Sequence, residues 1–306
     1  MKVNWTGVYP AVTTKFTADD RIDYAEFDKG IEAQLEAGVD GIVICGSLGE
    51  ASTLSDDEKI ELTEHTVKLS NGRVPVIYNI AEQATKAAIL TGKRAMDKGA
   101  DGLMLLPPMR YKADSDETTD YFIEVAKAVN LPIMIYNNPV DYGIKVTLEM
   151  FDRMAEYSNI NAVKESTRDV TNVTRMVNQF GNRYSILTGV DPLAMECLVL
   201  GAQGWVAGLV NAFPKETVAI FRLVKEHRYD EALSIYRWFL PLLELDIHPK
   251  LVQYIKMAEA AVNLGTEHVR APRQIPTGAE RERVLKTIND ALAIRPELPA
   301  GSWGVR

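Results

Sequence analysis

Short apolar runs alternate with longer amphipathic stretches along most of this chain. Eight runs are rich in β-branched residues and bounded by Gly, Pro or Asn: GVYPAVTT (7–14), GIVIC (41–45), PVIYNI (75–80), GLMLL (102–106), PIMIYN (132–137), INAVKES (160–166), YSILTG (184–189) and GWVAGLV (204–210). Their length and composition predict buried strands. Between them, apolar positions recur at helical spacing, as at Phe27, Ile31 and Leu35. Ser55 with Glu58 three residues on predicts a helix start closed by a capping box. The phrases EAGVDG, DKGADG and LGAQG each set a glycine where a helix would turn into the next strand.

Strand then helix, eight times over, predicts parallel βαβ units. Nearly continuous apolar strands require cover on both faces, and eight such units close into an α/β architecture, the TIM (β/α)8 barrel. An open doubly wound sheet is the alternative, but it would carry a G-x-G-x-x-G turn after its first strand, and none stands there. After Pro214 the pattern is all-helical, with helices expected near 215–228, 230–245, 249–264 and 278–293. Residues 1–228 are therefore read as the barrel and 229–306 as a C-terminal helical extension packed on it. The ending RPELPAGSWGVR reads as a loose tail.

Bulk properties narrow the function. The net charge of -8 gives no basic stripe for nucleic acid. The N-terminus lacks the apolar core of a signal peptide, and no run of about 18 apolar residues suggests a membrane span; a cytoplasmic protein is expected. Cys45 and Cys197 lie in apolar runs and read as reduced, buried thiols. His65, His227, His248 and His268 share no ligand spacing, so no metal is expected. Asp56-Asp57-Glu58 suits a helix N-terminus rather than an acid–base pair.

In a barrel the chemistry sits at the C-terminal strand ends. There the sequence offers the turn Gly46-Ser47-Leu48-Gly49-Glu50, then Tyr136, Lys164, Gly189 with Asp191, and Asn211. Lys164 reads either as an amine desolvated in the barrel mouth, neutral enough to attack a carbonyl, or as a surface lysine paired with Glu165. Tyr136 is either a proton carrier or a half-buried tyrosine with a satisfied hydroxyl. The glycine-rich turn is either a carboxylate cradle or a plain connection. Asp191 would bind a substrate hydroxyl or cap the helix beginning PLAMEC, and Asn211 would cap the helix beginning PKETV.

GVYPAVTTKF, GSLGEASTLS, GRVPVI, PIMIYNNP, AVKES, LTGVD and LGAQGWVAGLVNAFP, in that order, resemble the dihydrodipicolinate synthase / N-acetylneuraminate lyase family of class I aldolase-type barrels. The resemblance implies a lyase with Lys164 as Schiff-base lysine and Tyr136 as proton-transfer tyrosine. Ser47 would supply the hydroxyl of the turn, bridging to Tyr136 and binding substrate carboxylate with the Leu48 N–H. Gly46, Asp141, Gly189 and Asp191 complete the expected substrate contacts. It also implies no cofactor, a small 2-oxo acid or cyclic imine as substrate, and a homodimer or homotetramer.

Three positions depart from the synthase pattern. Ser47-Leu48 replaces two threonines, Met109 and Arg110 replace a Tyr-Tyr pair whose second member crosses a dimer, and Asp141 replaces an arginine for a substrate carboxylate. An acidic residue there would repel a dicarboxylate. Sialic-acid-binding residues do not stand out either. The phrases LPPM…YK and YNNPV.YG are most similar to a branch acting on short 2-oxo-acid-like substrates, with 1-pyrroline-4-hydroxy-2-carboxylate deaminase as the expected activity, a 2-keto-3-deoxy sugar-acid dehydratase or aldolase beside it, and 4-hydroxy-tetrahydrodipicolinate synthase or N-acetylneuraminate lyase as a further alternative. Two readings from other classes are a phosphate- or flavin-binding barrel, for which the turns TGVDPL and VNAFP offer few free N–H groups, and a catalytically silent binding barrel.

Overall fold

The structure is a computed structural model that describes residues 1–305. Eight strands lie parallel: β1 (Gly7–Pro10), β2 (Ile42–Ile44), β3 (Val76–Ile80), β4 (Gly102–Leu105), β5 (Ile133–Asn137), β6 (Ile160–Glu165), β7 (Ser185–Thr188) and β8 (Gly204–Ala207). Their order in the sheet is β1-β8-β7-β6-β5-β4-β3-β2. The ring closes where Ala11 bridges Val43 and the Val12 N–H donates to the Val43 carbonyl at 2.9 Å. The fold is a TIM barrel with C-terminal helices. Each expected strand is found, though shorter than its apolar run. Beyond Pro10 the chain leaves the ladder after that closing contact, and beyond Ala207 it tightens into a 3-10 turn at Leu209–Asn211.

The strands alternate between two cores. Val43, Ile77, Met104, Met134, Ala162, Leu187 and Val206 fill the barrel interior with Trp5 and Tyr9. The opposite face of each strand packs on the helices, as Val163 and Ile186 do. Because side chains alternate, Lys164 follows Ala162 to the inside and Glu165 follows Val163 to the outside. The register sets Tyr136 beside Lys164 on the neighbouring strand.

The first helix runs over Tyr24–Ala37, and Gly38 ends it at φ 85, a left-handed conformation that suits glycine. The helix at Asp56–Ser70 begins with the expected box, Ser55 and Glu58 capping one another. Helices at Tyr229–Leu243, Leu251–Ala261 and Gly278–Ala293 follow the barrel. The Tyr236 hydroxyl donates to the Pro192 carbonyl at 2.6 Å, and the Trp238 indole to Ala291 at 2.8 Å. The tail is not loose as its composition suggested. Gly304 donates to the Ala37 carbonyl at 2.8 Å and accepts from the Arg222 guanidinium at 2.7 Å. These bonds give the segment's backbone a fixed place on the barrel.

Two buried ion pairs fasten the helix Leu251–Ala261 to the strand-end turns. Lys256 donates to Glu50 at 2.5 Å, and Lys15 pairs with Glu259, which also accepts from Thr13. All four charged side chains are essentially inaccessible. Such pairs hold only when both partners are present. Among the described residues, no helix is long and apolar enough to cross a membrane.

Candidate active site

A cavity of about 590 Å3 opens at the C-terminal ends of the strands, the size of a small-molecule site. Lys164, Tyr136, Ser47, Leu48, Gly46 and Gly189 line it, and Asp141 stands at its edge. The strand ends thus bring together residues distant in sequence.

Lys164 does not pair with Glu165. The Glu165 carboxyl faces the other side of the strand, where it accepts from Thr167 N at 2.9 Å and from Asn172 Nδ2 at 2.7 Å. The Lys164 amine instead lies over the Tyr136 ring, 4.1 Å from its centroid, and the lysine is only 7% exposed. Burial depresses the lysine pKa, opposed by Tyr142, Asp246, Asp191 and Asp141. Desolvation favours the neutral, nucleophilic amine. Space for the lysine comes from Gly189, where a Cβ would stand 2.5 Å from Lys164 Cε and 2.3 Å from Ser166 Oγ.

Tyr136 is buried as well, and burial pushes its phenol up to about 12, partly offset by the Asn138 amide and the Ser166 hydroxyl. A phenol held protonated suits transfer of a proton to an adjacent centre. Asn138 donates to the Tyr136 oxygen at 3.3 Å and to Asp141 at 2.7 Å.

Ser47 does not reach Tyr136 directly. Its hydroxyl bonds the Tyr142 hydroxyl at 2.5 Å, and Tyr142 meets Tyr136 edge to face, centroids 5.5 Å apart. Tyr142 was not among the expected site residues. It belongs to the short helix Pro139–Tyr142 capped by Asn138, and its only sequence signal was a tyrosine just after the NNP phrase. Within the turn, Glu50 N–H bonds the Ser47 carbonyl and Ala51 N–H bonds the Gly46 carbonyl. Among the described residues no hydrogen bond engages the Leu48 N–H.

Asp191 and Asn211 are turned into the protein. Asp191 accepts from the Trp205 indole at 2.9 Å, from Gly208 N at 3.1 Å and from Leu209 N at 2.7 Å; it ties β7 to the turn after β8 and caps no helix. Asn211 accepts from Thr13 N and Gln34 and donates to the Ala11 and Gly208 carbonyls, joining β1 to β8. Asp141 pairs with Arg168 at 3.7 Å, a cation the sequence reading passed over. Asp246 and His248, from the segment after the helix Tyr229–Leu243, form the remaining polar wall. Among the described residues no three His, Cys, Asp or Glu side chains gather as a metal-ligand set.

The profile of the "Dihydrodipicolinate synthetase family" matches residues 4–291. The chain belongs to that family. It is therefore a family lyase. A protein of Sorangium cellulosum named 4-hydroxy-tetrahydrodipicolinate synthase is 35% identical over 290 residues, covering 92% of this chain and 95% of that one. One of the same name from Oceanobacillus iheyensis is 28% identical, covering 94% and 98%. The solved 4-hydroxy-tetrahydrodipicolinate synthase of Methylacidiphilum fumariolicum SolV superposes with a TM-score of 0.88 at 30% identity, over 94% of this chain and 97% of that one. These relatives carry the synthase name rather than that of the deaminase expected from the departures. The repulsion argument behind that expectation also weakens, because the Asp141 charge has Arg168 for a partner.

Proposed function

We propose that this family member activates a short 2-oxo acid of the pyruvate type as a Schiff base on Lys164 and uses the resulting enamine to make or break a bond at the adjacent carbon. The observation that carries the reading is the buried Lys164 amine lying 4.1 Å from the Tyr136 ring centroid at the cavity floor. The neutral amine attacks the carbonyl carbon, water leaves, and the protonated imine acidifies the neighbouring C–H bond. Tyr136 carries the proton. Tyr142, whose hydroxyl bonds Ser47 and whose ring packs on Tyr136, stands between Tyr136 and the turn, and the turn Gly46–Leu48 receives the substrate carboxylate.

The shared name of the relatives favours addition of the enamine to an aldehyde, and 4-hydroxy-tetrahydrodipicolinate synthesis is the specific activity proposed first. A second reading is elimination from a hydroxylated 2-oxo acid or its cyclic imine, the chemistry of 1-pyrroline-4-hydroxy-2-carboxylate deaminase. Met109 and Arg110, standing where the synthase pattern has its Tyr-Tyr pair, favour it. Incubation with pyruvate and borohydride should add a covalent mass to the wild-type chain and none to Lys164→Ala. A wild-type chain that gains no mass refutes the Schiff-base reading. Turnover of pyruvate with aspartate semialdehyde, set against the hydroxy-pyrroline carboxylate, 2-keto-3-deoxy acids and sialic acid, then separates synthase from the rest.

A further inference from the structure

The cavity contains an acid that the Schiff-base steps do not use. The 3-10 turn Glu244–Ile247 descends from the C-terminal helices onto the barrel mouth, and its Asp246 side chain lines the same cavity as Lys164 and Tyr136. Gly208 makes room for it: a Cβ there would lie 2.3 Å from the Asp246 carboxyl oxygen. The backbone at Gly208 has φ -97, so what the position requires is space rather than a left-handed conformation.

Asp246 has no salt bridge among the described residues. The groups that act on its charge are Asp191 and Asp141, which disfavour it, and Lys164 and the Asp191 backbone, which favour it. Its neighbour Asp191 is far better provided, with indole and backbone N–H donors on both oxygens. When two carboxyls share a buried region, the one with more N–H donors holds the negative charge and the other keeps its proton. Burial, then repulsion from Asp191, raises the Asp246 pKa well above the usual carboxylate range.

We propose that Asp246 is the general acid that serves the oxygen on the carbon joined to the enamine carbon. This rests on the Schiff-base reading above. In addition, the enamine electron pair forms the new C–C bond, the aldehyde C=O pair moves to oxygen, and that oxygen takes the Asp246 proton; the carboxylate recovers a proton from water. In elimination, the enamine pair forms the C=C bond, the C–O bond breaks, and the departing hydroxide takes the same proton and leaves as water. The substrate class follows: a 2-oxo acid whose reaction partner or next carbon bears an aldehyde or hydroxyl oxygen.

The test separates the two halves of the reaction. Wild type and Asp246→Asn are compared for the borohydride-trapped pyruvate adduct, for exchange of the pyruvate methyl protons with D2O by NMR, and for turnover of pyruvate with aspartate semialdehyde or of the hydroxy-pyrroline carboxylate. Infrared difference spectra of the same pair, with pyruvate bound, look for the carbonyl stretch of a neutral carboxylic acid. The expected result is adduct and exchange within about threefold of wild type, turnover down at least about 100-fold, in line with general acid catalysis, and an acid band present only in the wild type. Equal turnover in the variant, or a wild-type spectrum without the band, overturns the role of Asp246 alone. A wild type that forms no adduct overturns the Schiff-base reading, and this proposal with it. Adduct and exchange lost together with turnover in the variant, while an Asp246→Glu variant restores none of them, would assign Asp246 to the shape of the pocket and overturn its role as acid.

Discussion

Gly189→Ala is a one-carbon change with a calculable outcome. The added Cβ would stand 2.3 Å from Ser166 Oγ, 2.5 Å from Lys164 Cε and 2.6 Å from Lys164 Cγ. Nonbonded carbons settle at about 3.5–4.0 Å, so the lysine stem must retreat by roughly 1 Å. A displacement of about 1 Å from reacting geometry costs around 10²-fold in rate, or about 2.7 kcal/mol on the barrier. Overpacking of this kind also costs about 1–3 kcal/mol of stability. The assay is the rate of pyruvate adduct formation under borohydride, followed by intact mass, with a melting curve on the same sample. The folded variant should trap pyruvate about 100-fold more slowly and melt at lower temperature. A folded Gly189→Ala chain that traps at the wild-type rate would refute the claim that this gap positions the amine.

Other expectations follow from the same contacts. Because burial lowers the Lys164 pKa from the ordinary 10.5, trapping should fall as pH drops through a midpoint below that value; a midpoint at 10.5 would show an exposed amine. Tyr142→Phe removes the hydroxyl that bonds Ser47 and should slow pyruvate methyl exchange by about tenfold or more, with adduct mass retained; unchanged exchange removes Tyr142 from the relay. Lys256→Met takes from the buried Glu50 its nearest cation, leaving Arg273 at 3.7 Å and the Arg270 N–H, and should cost about 3 kcal/mol in denaturant unfolding, and adding Glu50→Gln should restore part of it; a neutral single variant would show that the pair adds no stability. The Arg270 hydrogen bonds, chiefly, hold Glu58 down to about 2 from 4.5. A depressed carboxylate adds stability above its ordinary pKa and loses it as pH falls through the folded value. Glu58→Gln should therefore melt below wild type at pH 7, with the gap closing as pH falls from about 4.5 towards 2; a constant gap would assign the loss to packing.

The strands were legible because a parallel barrel demands continuous apolar segments, and each of the eight runs contains a strand. Lys164 stood out for the same reason, as a cation that breaks an apolar alternation at a strand's C-terminal end, but the pattern left it open between a barrel-mouth amine and a surface partner of Glu165, and only the family resemblance gave it a role. Two kinds of information were not. Hydroxyl partners depend on where a short loop helix folds back, so the bond from Ser47 went to Tyr142 rather than Tyr136. Carboxylates carry no sign of direction in sequence: Asp191 turned inward to three N–H groups, while Asp246, in a phrase read only for its histidine, turned towards the cavity. The tail's Pro and Gly content suggested looseness because the two hydrogen bonds of Gly304 involve backbone atoms that composition does not register.

The far wall of the cavity comes from a turn that contributes no strand to the barrel. Substitutions in Glu244–Ile247 can therefore change which molecule is accepted without disturbing the ladder that aims Lys164. The amine that captures the substrate and the acid proposed to serve its oxygen are thus inherited on separate stretches of chain, so either half of the reaction can drift while the other stays fixed.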